Sequence, residues 1–338
     1  MKNKNESRIE SSKLKIGIVG LGMVGTPIMK WLIDSQGYKR GKDLYCFDAD
    51  PKKKFQDDIN MADMIFIAVP TPIGKGGACD ISIIERVVKT IDDGKVIIIK
   101  STIAPQTSEI LQAKYPNKRF VFNPEFLTES QAWEDFLKPQ RQLMGHTVKS
   151  YGDVANILAI LPSAYYTRPW YSDYTKKDIT ATEAELVKYA SNVFGYIKVI
   201  FSNILADISF AIKKDYEIRD IDADINYENI REALGADSRI GPAWTNVEHG
   251  SYAGAGGYCF PKDMKALIAF VDSLASRIEN VKSKDAQNLA QSLRMGNLVF
   301  KSVQAYNVNL LEWQNLTLEE VSVHNKDLIT KKRKKIRE

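Results

Sequence analysis

The stretch most suggestive of chemistry is Gly254-Ala255-Gly256-Gly257-Tyr258-Cys259-Phe260-Pro261-Lys262-Asp263. Three glycines in four positions allow a tight turn and close approach to a ligand. Pro261 suits the first turn of a helix continuing through Met264, Leu267 and Ile268. Cys259 is therefore expected where a helix begins, among unpaired amides and the positive end of the helix dipole. That setting suggests a thiolate and covalent catalysis, the alternative being a buried free cysteine beside a structural turn, which the rest of the chain disfavours. Upstream, Lys188 and Asn192 lie four residues apart in an apolar helical pattern. They point the same way, a cation and an amide able to hold a developing oxyanion. Glu125 and Glu129 have the same spacing; on a helix they would share one face, either as an acid and base pair or as a solvated surface pair.

These groups need a scaffold, and the first half of the chain predicts one. Lys15–Val19 is a short apolar run followed by Gly20-Leu21-Gly22-Met23-Val24-Gly25 and then by helical spacing through Ile28, Met29 and Leu32. This is strand, glycine turn and helix, the arrangement that seats a dinucleotide pyrophosphate at a helix N-terminus. A second strand, Leu44–Phe47, ends in Asp48, 23 residues beyond Gly25. A carboxylate there receives ribose hydroxyls and repels a 2′-phosphate, which favours NAD over NADP, although lysines 52 to 54 stand close by. Further strands are predicted at 64–69, 96–100 and 120–122, with a helix over 82–91. Pro70-Thr71-Pro72 and Ser101-Thr102 fall just after two of these strands, at the crevice of a doubly wound sheet.

The second half reads as mostly helical. Leu186, Tyr189, Val193, Ile197, Ile200 and Ile204 recur at helical steps across a helix predicted over 182–212, and helices are predicted over 264–276 and 286–306. The expectation is an α/β protein: a Rossmann-type domain over 14–150, a helical domain with a long helix over 180–306, and a polar basic tail over 307–338.

At 338 residues and 44% hydrophobic, the chain has material for two cores. Cysteines 46, 79 and 259 show no paired or CxxC spacing, so neither disulfides nor a metal site is predicted. The net charge of +5 resides in residues 331–338, leaving the remainder neutral. That run reads as a solvated terminus rather than a nucleic-acid or lipid-binding patch. Residues 1–15 are polar, and the apolar run Val199–Ile212 carries Asn203 and Asp207 and is short for a bilayer. A cytoplasmic protein without membrane insertion is expected.

Taken in order, the motifs resemble those of the UDP-glucose and GDP-mannose dehydrogenases: Gly20–Gly25, Pro70–Pro72, Ser101-Thr102, Asn123-Pro124-Glu125-Phe126-Leu127 with Glu129, Glu185–Asn192, Asp237–Pro242 and Gly254–Asp263. The ordered set covers roughly residues 14–270. The resemblance implies NAD as cofactor and a four-electron oxidation of a nucleotide sugar, UDP-glucose first, to its uronic acid. It implies a nucleophilic Cys259, with Lys188 and Asn192 stabilising oxyanions. Asp263 and Thr102 would order the lysine and a water, Glu125 would serve acid-base work, and Glu129 would be a second active-site carboxylate. Gly254, Gly256 and Gly257 would lie against the substrate; Gly20, Gly22, Met23, Val24, Gly25, Asp48, Pro70, Thr71 and Thr102 would line the cofactor site. Dimerisation through the central helix is also implied. After Asp263 only 75 residues follow, and no further nucleotide-fold domain of the family's kind, about 100 residues, is read there. Two alternatives stay open: a two-electron hydroxyacid-type dehydrogenase, and a non-catalytic NAD-binding partner of a full-length enzyme.

Overall fold

A computed structural model describes residues 13–128, 131–164, 179–249, 251–322 and 336. The chain divides into two compact units. One comprises residues through Thr71 together with Ile81–Leu186; the other comprises Pro72–Asp80 and the chain from Val187 onward.

The first unit is a six-stranded sheet flanked by helices: β1 (Ile16–Val19), α1 (Gly25–Asp34), β2 (Leu44–Phe47), β3 (Met64–Ile67), α2 (Ser82–Thr90), β4 (Val96–Ile99), α3 (Thr107–Lys114), β5 (Arg119–Phe122), α4 (Ala132–Leu137), β6 (Gly145–His146) and α5 (Val154–Ile160). The strand order is β2-β1-β3-β4-β5-β6, with the first five parallel and β6 antiparallel at one edge. Strands covered on both faces must be apolar throughout. Accordingly Ile65, Phe66 and Ile67 in β3 and Ile97, Ile98 and Ile99 in β4 are fully buried. Chain direction across the sheet reverses between β1 and β3. A doubly wound sheet opens its ligand crevice at that switch point.

Helix α6 (Ala181–Ile218) begins in the first unit and runs on through the second for 38 residues in all. It outlasts the predicted end at 212 because Lys214–Glu217 and Asp215–Arg219 ion pairs lace its last exposed turns. Its 18-residue apolar window, half of it buried in protein, meets the length and hydropathy of a bilayer span; core helices of folded domains meet the same criteria. The polar side chains within it have protein partners. Asn203 is fully buried with its amide on Val199 O, and Tyr306 donates to Asp207.

The second unit continues with α7 (Tyr227–Ala236), the hairpin β7 (Glu248–His249) and β8 (Tyr252–Ala253), then α8 (Cys259–Glu279), α9 (Lys284–Trp313) and α10 (Leu318–Val321). Its core joins Tyr189, Val193, Tyr196 and Ile200 of α6 to Met264, Leu267 and Ile268 of α8. Helix α9 does not stop near Tyr306; Leu310 and Leu311 stay buried, and Leu311, Leu316 and Val321 pack with Tyr252. The first part of the predicted tail is thus core, while residues 323–335 lie outside the described region.

One buried carboxylate makes the first unit sensitive to pH. Glu185, in the first turns of α6, is fully buried, and its Oε1 accepts from Ser108 N at 2.8 Å near the start of α3. Oε2 has no partner among the described residues. Burial pushes the carboxyl up to about 7, against the opposing pull of hydrogen bonds from Ser108 and Gln106. The folded protein therefore keeps a proton that the unfolded chain releases near its usual pKa of about 4.3. Stability falls as pH rises from there to about 7 and stays lower beyond. Glu185→Gln keeps the acceptor without the titration. In urea melts it should exceed the parent by on the order of 2 kcal/mol above pH 7, with the advantage vanishing below pH ~4. A pH-independent difference would mean that Glu185 carries no such proton.

Candidate cofactor and catalytic sites

The candidate cofactor residues lie at the carboxyl ends of β1 and β2. Gly20 has φ +92°, and a Cβ there would stand 2.5 Å from Ala68 O, the first residue after β3. A Cβ on Gly25 would stand 1.9 Å from Gly20 O, so this glycine lets α1 begin directly under the turn. Gly22 differs, because a Cβ there meets nothing within 4 Å. The outer two glycines serve the turn itself, and the middle one faces open space in which a ligand can approach backbone amides. Met23 and Val24 are half-buried in this turn, Val24 against the core of the unit.

Asp48 follows β2 and is buried. Its Oδ2 accepts from Leu21 N at 2.7 Å and from Lys53 Nζ at 2.9 Å; Oδ1 accepts from Asp50 N at 2.9 Å. Burial opposes its ionisation, but these hydrogen bonds and the Lys53 charge outweigh burial and lower the carboxyl pKa. Asp48 thus ties the glycine turn to β2 as a carboxylate. Of the three lysines noted in the sequence, Lys53 is the one that pairs with it. Turn, open middle glycine and ionised carboxylate together fit a dinucleotide with a free ribose.

The loops after the neighbouring strands are also pinned. Thr71 Oγ1 donates to Thr102 O at 2.7 Å and Ser101 Oγ to Val69 O at 2.7 Å, while Pro70 is exposed. Buried Lys100, at the end of β4, donates to Asn123 Oδ1 at 2.7 Å, joining the ends of β4 and β5. Residues 123–128 are irregular rather than helical. Glu125, half-buried, folds back so that its Oε2 accepts from Leu127 N at 2.6 Å. The helical argument for Glu125 and Glu129 therefore does not apply, and Glu129 itself lies outside the described residues.

The catalytic candidates of the second unit gather where α6 meets α8. Cys259 is the first residue of α8 and half-buried. Gly195 of α6 has only hydrogen where a Cβ would stand 2.7 Å from the Phe260 ring, so the two helices can close at this point. Lys188 is 3% exposed and Asp263 0%. Asp263 Oδ2 accepts from Asn192 Nδ2 at 2.5 Å, and Oδ1 accepts from Lys262 Nζ at 2.5 Å. The remaining N–H of the Asn192 amide is thus held in a fixed direction. The resemblance assigned Asp263 to ordering a lysine; the lysine on its Oδ1 is its chain neighbour Lys262.

Lys262 is the functional group that sequence reasoning passed over, although it stands inside the quoted motif. Burial opposes its charge, yet the Asp263 carboxylate, with Cys79 and Cys259 also within electrostatic reach, raises its pKa above the ordinary lysine value. A buried ammonium beside Cys259 favours negative charge on a sulfur or on an oxygen bound to it. Gly254 and Gly256 have local reasons to be glycine. A Cβ would stand 2.7 Å from Asn307 Oδ1 in the first case and 1.9 Å from Tyr252 Oη in the second; Gly257 has φ +75°. Among the described residues no cluster of His, Cys, Asp and Glu could hold a metal ion.

Comparison with known proteins identifies the family. The UDP-glucose/GDP-mannose dehydrogenase family model for the NAD binding domain matches residues 51–160, and the model for that family's central domain matches residues 182–290. The chain is 32% identical over 256 residues to UDP-glucose 6-dehydrogenase of Rickettsia typhi, covering 73% of this chain and 53% of that protein. It is 32% identical over 231 residues to UDP-glucose 6-dehydrogenase of Haloferax volcanii, covering 63% and 49%. It thus spans about half the length of the curated relatives it matches. The fold is similar to that of a UDP-glucose dehydrogenase from Pyrobaculum islandicum, with a TM-score of 0.63 and 24% identity, covering 91% of this chain and 72% of that one.

Proposed function

From the premise that this chain belongs to the UDP-glucose/GDP-mannose dehydrogenase family and carries its NAD-binding domain, we propose that it is an NAD-dependent nucleotide-sugar 6-dehydrogenase. UDP-glucose is the first candidate substrate, as in the names of its relatives. The observation that carries the reading is the Asn192–Asp263–Lys262 cluster, with Asp263 and Lys262 buried, beside a half-buried cysteine at a helix start.

Bound NAD supplies the hydride acceptor, once for the alcohol and once for the aldehyde. The rest falls to the chain. Lys188 and the free N–H of Asn192 hold the C6 oxygen while it bears negative charge. Cys259 Sγ adds to the aldehyde carbon, and the resulting thiohemiacetal carries the hydrogen lost in the second oxidation. The thioester so formed is cleaved by water, with Glu125 as acid-base group and Thr102 ordering that water. The carboxylate leaves and the thiol is restored. Two electrons leave at each oxidation, so each sugar yields two NADH and one uronate. Asp263 fixes Asn192 and Lys262 rather than touching the sugar.

The test is to count NADH per sugar consumed, offering UDP-glucose, GDP-mannose and other UDP-sugars separately. Two per sugar is expected. One would replace this reading with a two-electron dehydrogenase, and none from protein that binds NAD would replace it with a non-catalytic partner. Self-association through α6 belongs to the same proposal. Phe194, Phe201 and Ile208 recur every seven residues and are 63%, 52% and 49% exposed. Light scattering should give twice the chain's mass, and a monomer would remove this part of the proposal.

A further inference from the structure

Helix α9 and its C-cap reach the loop in front of Cys259 with two side-chain amides, Asn307 and Gln314, each of which pairs with both backbone groups of one residue. Ala255 N donates to Asn307 Oδ1 at 2.8 Å, and Asn307 Nδ2 donates to Ala255 O at 2.9 Å. Ala253 N donates to Gln314 Oε1 at 2.8 Å, and Gln314 Nε2 donates to Ala253 O at 2.9 Å and to Leu310 O at 2.8 Å. Asn307 and Gln314 are 0% and 1% exposed.

Strand β8 has β7 as its neighbour strand and, among the described residues, no strand beyond it. The outer backbone groups at 253 and 255 therefore need partners, and buried peptide groups rarely go without. Two amides seven residues apart, one in the last turns of α9 and one at its C-cap, take the place of a neighbouring strand. Gly254, between the paired residues, has φ +105° and no Cβ to strike Asn307 Oδ1. Gly257 N donates to Val321 O at 2.8 Å, a third tether from the same C-terminal segment. A loop with three glycines would otherwise be the most mobile approach to a nucleophile.

We propose that Asn307 and Gln314 are positioning residues that fix Ala253–Gly257 and thereby set the place of Cys259. The inference rests on the reading of Cys259 as nucleophile, but the clamp has a readout that needs no turnover. In Asn307→Asp the carboxyl matches the amide in shape, donates to Ala255 O when protonated and repels it when ionised. Hydrogen exchange at residues 253–257 should therefore show near-parental protection in acid and a loss of at least about 10-fold once the carboxyl ionises. Protection across the first unit should stay unchanged. Over the same pH range kcat should fall while the KM for NAD holds. Gln314→Glu should behave alike. Unchanged protection at 253–257, or an equal loss throughout the chain, would overturn the clamp. If protection responds as expected but neither parent nor variants oxidise any nucleotide sugar, the reading of function fails and the clamp stands.

Discussion

Cys259→Ser should lower uronate formation by at least about 1,000-fold, equivalent to roughly 4 kcal/mol of lost transition-state stabilisation. The reason lies in the second oxidation. An aldehyde carbon gives up its hydride only after a nucleophile has added to it, because the oxyanion then formed on that carbon drives the hydride out. The serine hydroxyl is a far weaker nucleophile than a thiolate. The first oxidation needs only the oxyanion groups Lys188 and Asn192, so NADH per sugar should fall from two toward one as aldehyde accumulates. Folding should change little, because Cys259 is half-buried at the first residue of α8 and the substitution is nearly isosteric. The decisive comparison is uronate yield at matched NAD binding. A parental yield from the serine variant would remove Cys259 from the mechanism.

The sequence made some of this legible and hid the rest, for physical reasons. Strands β3 and β4 read as apolar runs because both faces of a parallel sheet are covered, and Ile65–Ile67 and Ile97–Ile99 are fully buried. The glycine turn and Asp48 were legible because each has a local steric or electrostatic reason. Strand order was not, since β1 lies between β2 and β3 through pairings of distant residues. Apolar periodicity lost α9 after Tyr306 because two of the buried residues that anchor its end, Asn307 in its last turns and Gln314 at its C-cap, are amides. A pattern that counts only hydrophobic side chains cannot see a polar residue whose partners are backbone groups 52 and 61 residues away. The same holds for the candidate catalytic cluster. Cys259, Lys262 and Asp263 are neighbours in the motif, but the Asn192–Asp263 bond spans 71 residues. Spacing on α6 gave Asn192 a direction without naming its partner. Between Glu125 and Glu129 the four-residue spacing misled, because the backbone from 123 to 128 is irregular.

Asp263→Asn should be the most damaging isosteric change in the second unit. The carboxylate is fully enclosed between two donors, Asn192 Nδ2 and Lys262 Nζ, each at 2.5 Å. An amide there can accept from one donor only by turning its own N–H groups toward the other. It also leaves the Lys262 ammonium, whose side chain is 10% exposed, buried without its counter-charge. Removing one partner of a buried pair costs on the order of 3 kcal/mol. Turnover should fall at least about 100-fold, because Asn192 and Lys262 lose the group that aims them. The pH dependence identifies the cause. In the parent, Asp263 raises the Lys262 pKa, so the pair's contribution is complete below the ordinary lysine value of about 10.4 and is lost as pH rises through the folded value. In the variant, burial is opposed only by the smaller effects of Cys79 and Cys259 and depresses the lysine pKa, so the penalty is largest in acid and fades as the lysine deprotonates. The gap in unfolding free energy between parent and variant should therefore narrow toward pH ~10 and above. A second substitution separates charge from orientation. Adding Lys262→Met removes the stranded ammonium and should restore most of the stability, while turnover stays low because Asn192 still lacks its carboxylate. If the double variant recovers neither, or if the gap does not vary with pH, the Lys262–Asp263 pair is not what holds this site.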